Sequence, residues 1–136
     1  DCPYRADRDV VLARAGRRVA AGLVDPADFP AGLRRYSPAR LLELAACSIP
    51  AVTVDAPVVC HGRLGFDHLL LGPCTAGIVG VRALGVGDRY LDLGRFLAEV
   101  AARFGAEATE LVTAGYGLDR IDRARLDAYS LLSVLL

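Results

Sequence analysis

Between residues 5 and 21 the apolar positions Val11, Ala15 and Val19 recur every fourth residue, with Arg14, Arg17 and Arg18 between them. That spacing predicts a helix over Arg5–Ala21 with its arginines facing out. Gly22 and Asp25-Pro26 end it. Residues Asp28–Arg35 carry no period and read as irregular. Ser37-Pro38 then starts a second helix, a capping hydroxyl followed by a proline whose φ suits the first turn. It continues through Leu41–Ala46 and closes at Pro50. The segment Val52–Val59 contains Pro57 and ends in the apolar run Val58-Val59-Cys60, which suits a short strand entering a loop. The stretch His61–His68 is punctuated by glycine and mixed in polarity. Leu69-Leu70-Leu71 predicts a short buried strand, Gly72-Pro73 a turn, and Ile78-Val79-Gly80-Val81 another short strand.

Helical spacing returns in the last third. Asp88 is placed to cap a helix in which Leu93, Phe96, Leu97, Val100 and Phe104 share one apolar face. Ala106–Tyr116 predicts a further helix ended by Gly117, and Asp122–Leu136 a last one with Leu126, Tyr129, Leu132 and Leu136 on a stripe. The pattern therefore implies an α+β fold, mainly α, with a short central β-hairpin. It forms one domain over residues 1–136, without internal repeats or a low-complexity linker.

Composition narrows the function. With 54% hydrophobic residues and a mean hydropathy of +0.36, the chain is too apolar to remain disordered. No apolar run approaches the roughly 20 residues of a membrane span. Sixteen acidic residues balance sixteen basic ones, so no net field argues for nucleic acid or an anionic membrane. Every basic residue is Arg, and Lys, Asn, Gln, Met and Trp are absent. A mechanism that needs a phosphate-gripping Lys or an Asn metal ligand cannot run on these residues alone. The abrupt start Asp1-Cys2-Pro3, without Met or a signal peptide, is expected of a piece of a larger product or a processed chain. Cys2, Cys47, Cys60 and Cys74 form no C-x-x-C pair, and two histidines offer no zinc spacing. They are expected to be buried or half-buried free thiols of a cytoplasmic protein.

Two segments carry a resemblance. Val58-Val59-Cys60-His61-Gly62 and Leu84-Gly85-Val86-Gly87-Asp88-Arg89-Tyr90-Leu91-Asp92-Leu93 resemble the C-terminal lobe of the aminoglycoside phosphotransferases, above all the 3'-phosphotransferases. There they match the strand into the H-G-D catalytic loop and the L-G-x-x-D-R-Y-x-D helix start. Asp1-Cys2-Pro3-Tyr4, Arg18–Asp25, Tyr116-Gly117-Leu118 and Tyr129–Leu132 extend the likeness over nearly the whole chain. The resemblance implies the helical C-terminal lobe of a protein-kinase-like fold, whose nucleotide-binding N-terminal lobe is not within this sequence. It also implies ATP and Mg²⁺ as the family's cofactors.

The same alignment implies a degenerate site. Phosphoryl transfer requires a carboxylate to take or orient the substrate proton, and oxygen ligands for Mg²⁺. The base position of the resemblance falls on Arg63, whose guanidinium stays protonated and cannot be a base. The Asn position falls on His68, and imidazole suits zinc or copper better than Mg²⁺. The later metal-binding Asp position falls on Gly80. His61 is expected to brace the loop, and Asp88, Arg89 and Asp92 to tie down the helix start. On the substrate side Glu99 and the carboxylate of Leu136 are the remaining matches, while Ser133, Val134 and Ala83 stand where charged residues are common. Aminoglycosides are therefore expected to bind poorly. A metal site from His61, Asp67 and His68 is disfavoured, because adjacent side chains point apart. No metal and no cofactor are expected for this chain.

Four readings follow from these residues. The chain is a degenerate aminoglycoside-phosphotransferase-like lobe, without phosphotransfer activity by itself, that binds something or is a remnant. Alternatively it is part of an ATP-dependent aminoglycoside O-phosphotransferase whose other lobe lies elsewhere. As a third reading it is an assembly module, with a homo-oligomer or partner chain over an exposed apolar face. The fourth is an enzyme of other chemistry using Arg63, His61 or His68.

Overall fold

The computed structural model describes residues 2–51, 56–118 and 120–136. The beginning of the Val52–Val59 segment lies outside them. Helix α1 runs Arg8–Ala20, three residues later than expected, because Asp7 caps it by accepting from Val10 N. The preceding Arg5–Ala6 forms strand β1 instead. Helix α2 spans Pro38–Ser48, with the Ser37 hydroxyl accepting from Arg40 N. Strand β2 is Val58–Cys60, β3 Leu69–Leu71, β4 Ala76–Ile78 and β5 Gly85–Gly87. Helices α3 (Tyr90–Phe104), α4 (Ala106–Gly115) and α5 (Arg123–Ser133) complete the chain.

The strands form two small sheets. In one, β5 is central, parallel to β1 and antiparallel to β2, with Arg5 opposite Val86 and Val59 opposite Val86 on the other side. The glycines of β5 hid this strand from the sequence pattern, since Gly-Val-Gly carries little β preference. The other sheet is the expected hairpin, with Leu69 opposite Ile78 and Leu71 opposite Ala76. Its second strand ends at Ile78 rather than running to Val81, because Gly80 takes a positive φ of 78° and turns the chain. Nor is β3 buried: Leu70 and Leu71 are 59% and 75% exposed. A three-residue apolar run cannot state which neighbour covers it, and here none of the described residues does.

The core lies where α3 and α5 meet α1 and α2. Val11, Ala15, Leu41, Ala45, Leu93, Leu97, Leu126, Tyr129 and Leu132 are buried there, as the helical spacings implied. Each large apolar side chain so enclosed contributes roughly 1.5–3 kcal/mol. Two positions differ. Phe104 is exposed, and its ring meets Phe66 edge-on at 5.7 Å. Helix α5 ends at Ser133, so the turn that follows buries Leu135 rather than Leu136. Ser130 Oγ donates to Gly94 O at 2.8 Å and pins α5 to α3.

Candidate functional site

The loop after β2 is held from beneath by one carboxylate. Asp92, in the first turn of α3, accepts from His61 N at 2.6 Å, Gly62 N at 2.8 Å and Leu64 N at 3.4 Å. A carboxylate meeting several backbone N–H groups is a strong, directional anchor. Gly62 is required at the bend: its φ is +81°, and an added Cβ would lie 2.2 Å from Ala83 O. From the other side, Arg14 Nη2 of α1 donates to Gly62 O at 3.0 Å.

His61 is buried, and its Nε2 lies 2.8 Å from Val79 O. A carbonyl can only accept, so the proton sits on Nε2. This contact ties the loop to the hairpin. The ring also packs on His68, with centroids 4.7 Å apart. His68 closes the one-turn 3₁₀ segment Phe66–His68. The Asp67 carboxylate lies 2.9 Å from His68 Nδ1, but off line, so it is close to the ring without a hydrogen bond.

His68 and Gly80 are one feature. A Cβ on Gly80 would fall 2.5 Å from His68 Cδ2 and 3.0 Å from its Nε2. The imidazole fills the volume that a side chain at position 80 would need. Neither His68 nor Gly80 offers a side-chain oxygen, the donor that Mg²⁺ prefers. Among the described residues, no group of three or more His, Cys, Asp or Glu side chains could hold a metal ion.

Arg63 is exposed and lines a pocket of about 750 Å³ with Asp28, Pro30, Leu33, Arg95, Glu99 and Asp127. Ser133 and Val134 also line it, whereas the Leu136 side chain packs on the core. Glu99 is already committed: Oε2 accepts from Phe66 N at 3.0 Å and Oε1 from Arg95 Nε at 2.7 Å. Arg95 reaches on to Asp67 at 3.4 Å. The i,i+4 spacing of Arg95 and Glu99 could have revealed that pair in the sequence. Asp28 and Asp127, on distant elements, could not be linked to the pocket without the fold.

Asp88 holds the helix start by a route that spacing did not reveal. Its Oδ1 accepts from Tyr90 N at 3.0 Å, as a cap would, while Oδ2 receives Arg125 Nη2 at 2.7 Å in a buried ion pair. The Arg125 guanidinium lies over the Tyr90 ring, 4.6 Å from its centroid. Arg89, expected to help, makes no side-chain capping bond. Cys60 Sγ is 3.2 Å from Asp88 O, and burial pushes its thiol up to about 12. Burial first, then Asp88, raises the Tyr129 hydroxyl as well. Of the other cysteines, Cys47 and Cys74 are exposed, against the expectation of buried thiols. Cys47 falls on the outer face of α2 and Cys74 in the hairpin turn.

A helical body with a loop and hairpin along one edge is the fold seen in the C-terminal half of kinase-like aminoglycoside phosphotransferases. In particular, the chain matches aminoglycoside 3'-phosphotransferases over most of its length. That of Streptomyces fradiae is 34% identical over 97% of this chain and 51% of its own. The Escherichia coli one is 29% identical over 97% and 48%. An aminoglycoside 3'-phosphotransferase of type VIII superposes with a TM-score of 0.85 at 33% identity, over 99% of this chain and 53% of that one. An aminoglycoside phosphotransferase of Streptomyces rimosus, solved with ADP and streptomycin, gives 0.81 at 28% identity, over 99% and 55%. The chain thus spans about half the length of the relatives it matches. No protein-family model matches it. No helix among the described residues is long and apolar enough to cross a membrane.

Proposed function

We propose that this chain is an aminoglycoside-phosphotransferase-like helical lobe that does not transfer phosphate by itself and whose remaining role is binding. One observation carries the reading: the His68 ring stands in the space a side chain at Gly80 would need. The metal-binding pair implied by the resemblance is closed by its own substitution, while Arg63 puts a fixed cation at the base position. Losing a general base alone costs about 10²–10⁴ in rate. Losing metal neutralisation of the phosphates removes several kcal/mol more of transition-state stabilisation. A cytoplasmic location belongs to this reading.

The test is ADP release by the purified chain with ATP, Mg²⁺ and a kanamycin-type or streptomycin substrate. Background turnover is expected. Magnesium-dependent turnover above it would overturn the reading and favour the alternative, part of an ATP-dependent aminoglycoside O-phosphotransferase.

A second reading rests on the hairpin edge, where Leu70, Leu71, Ile78, Val79 and Val81 are all exposed. An apolar surface of this kind is usually covered, and a second copy of the chain would cover it. Light scattering that finds only monomer at high concentration would exclude self-association.

A further inference from the structure

The hairpin leaves a row of backbone donors and acceptors open. Val79 N donates to His68 O at 3.0 Å and Gly72 N to Thr75 O at 2.8 Å. With Leu70 opposite Gly77, the three pairs fall at alternate positions, so they are the hydrogen-bonded pairs of the ladder. The residues between them, Leu69 and Leu71 on β3, Ala76 and Ile78 on β4, turn their N–H and C=O groups away from the hairpin. On β3 the row is already broken, since Leu69 N donates to Phe66 O. On β4 it is intact: this sheet has two strands, and among the described residues no third lies beyond β4. Ala76 and Ile78 are both exposed.

Nothing in the sequence guards this edge. Edge strands are commonly protected by Lys or another charge, or by a proline on the strand. From Leu69 to Val81 no residue is charged, and Pro73 lies in the turn. Leu70, Leu71, Ile78, Val79 and Val81 are exposed around it. A strand added here must itself be uncharged and apolar, because a charge brought against these side chains would lose its water without gaining a partner. Strand β4 meets that requirement. Laid antiparallel on its own copy, with Gly77 opposite Gly77, it forms a closed two-fold arrangement. Ala76 of each copy then falls opposite Ile78 of the other, in register to exchange both hydrogen bonds.

We propose that two copies of this chain join edge to edge through β4, making one four-stranded sheet from two hairpins. Strand addition of this kind takes affinity from the main chain and specificity from the alternate side chains. The inference rests on the second reading above, self-association over the hairpin, and names its edge and register. The turn at Gly80 limits the pairing to a few residues, so a weak dimer is expected.

Sedimentation equilibrium of the purified chain, without ATP or Mg²⁺, should show a monomer–dimer equilibrium. Ala76→Pro removes an outward N–H and none of the hairpin's own hydrogen bonds, a place where an edge strand accepts proline. By symmetry it deletes two bonds of the dimer and should weaken it about 10-fold or more. The second measurement does not depend on that variant folding. With Cys2, Cys47 and Cys74 replaced by Ser, Gly77→Cys should cross-link under mild oxidation, since its two copies would stand about 4.5 Å apart at Cα. Thr75→Cys in the same background should not, its two copies being roughly 14 Å apart. Monomer at every concentration overturns the pairing and self-association together. A dimer that Ala76→Pro does not weaken, or Gly77→Cys cross-linking no faster than Thr75→Cys, overturns the edge pairing and leaves self-association standing.

Discussion

Replacing Arg125 by Met removes the cation that neutralises the most enclosed carboxylate of the fold. The Asp88 side chain is 1% exposed and that of Arg125 9%, with 2.7 Å between Nη2 and Oδ2. After the change Asp88 Oδ1 keeps the Tyr90 N–H, but Oδ2 loses its charged donor. Breaking one side of a buried pair in this way costs about 3–5 kcal/mol. Loss of the guanidinium over Tyr90 adds roughly 0.5–2 kcal/mol. For a domain of this size roughly 3 °C of Tm follows each kcal/mol, so Arg125→Met should melt about 10–20 °C lower. Circular dichroism with heat and urea reads both quantities. In the double variant Asp88→Asn/Arg125→Met no buried charge is left alone, and most of the loss should be recovered. The reasoning fails if Arg125→Met loses less than about 1 kcal/mol, or if the double variant is as unstable as the sum of the two singles.

Three further outcomes follow from the geometry. Gly80→Asp should cost about 1–3 kcal/mol, from the positive φ and the approach to His68, and His68→Ala should relieve part of it. A double-mutant cycle by urea titration checks this, and a coupling below about 0.5 kcal/mol would refute shared volume. With a thiol-reactive dye, Cys47 and Cys74 should label at once and Cys60 only on unfolding; early modification of Cys60 in mass spectra would contradict its burial. Because the Cys60 thiol is raised from 9.0 to about 12, the folded state holds its proton more tightly than the unfolded chain. Stability should therefore be independent of this group below about pH 9 and fall as pH rises toward 12, and Cys60→Ala should flatten that fall.

Periodicity alone placed the helices, because burial of an apolar stripe at 3.6-residue spacing is a local property of the chain. Val11, Ala15, Leu41, Leu97, Leu126 and Tyr129 are buried as their spacing requires. The cap of α2 was legible for the same reason: Ser37 satisfies an N–H three residues on. The resemblance around His61-Gly62 and Leu84–Leu93 was likewise a matter of adjacent residues. Strand β5 and the exposure of Leu70 and Leu71 were not legible, since each depends on which distant segment lies alongside. Neither was the ion pair of Asp88 with Arg125, 37 positions apart. Most of all, the sequence presents Arg63 as one cation in a glycine loop and Arg14 as the solvent side of a helix. Only the packing of α1 against the Asp92-held loop brings Arg14 to Gly62 O and within reach of the Arg63 charge, because charge adds up through space and not along the chain.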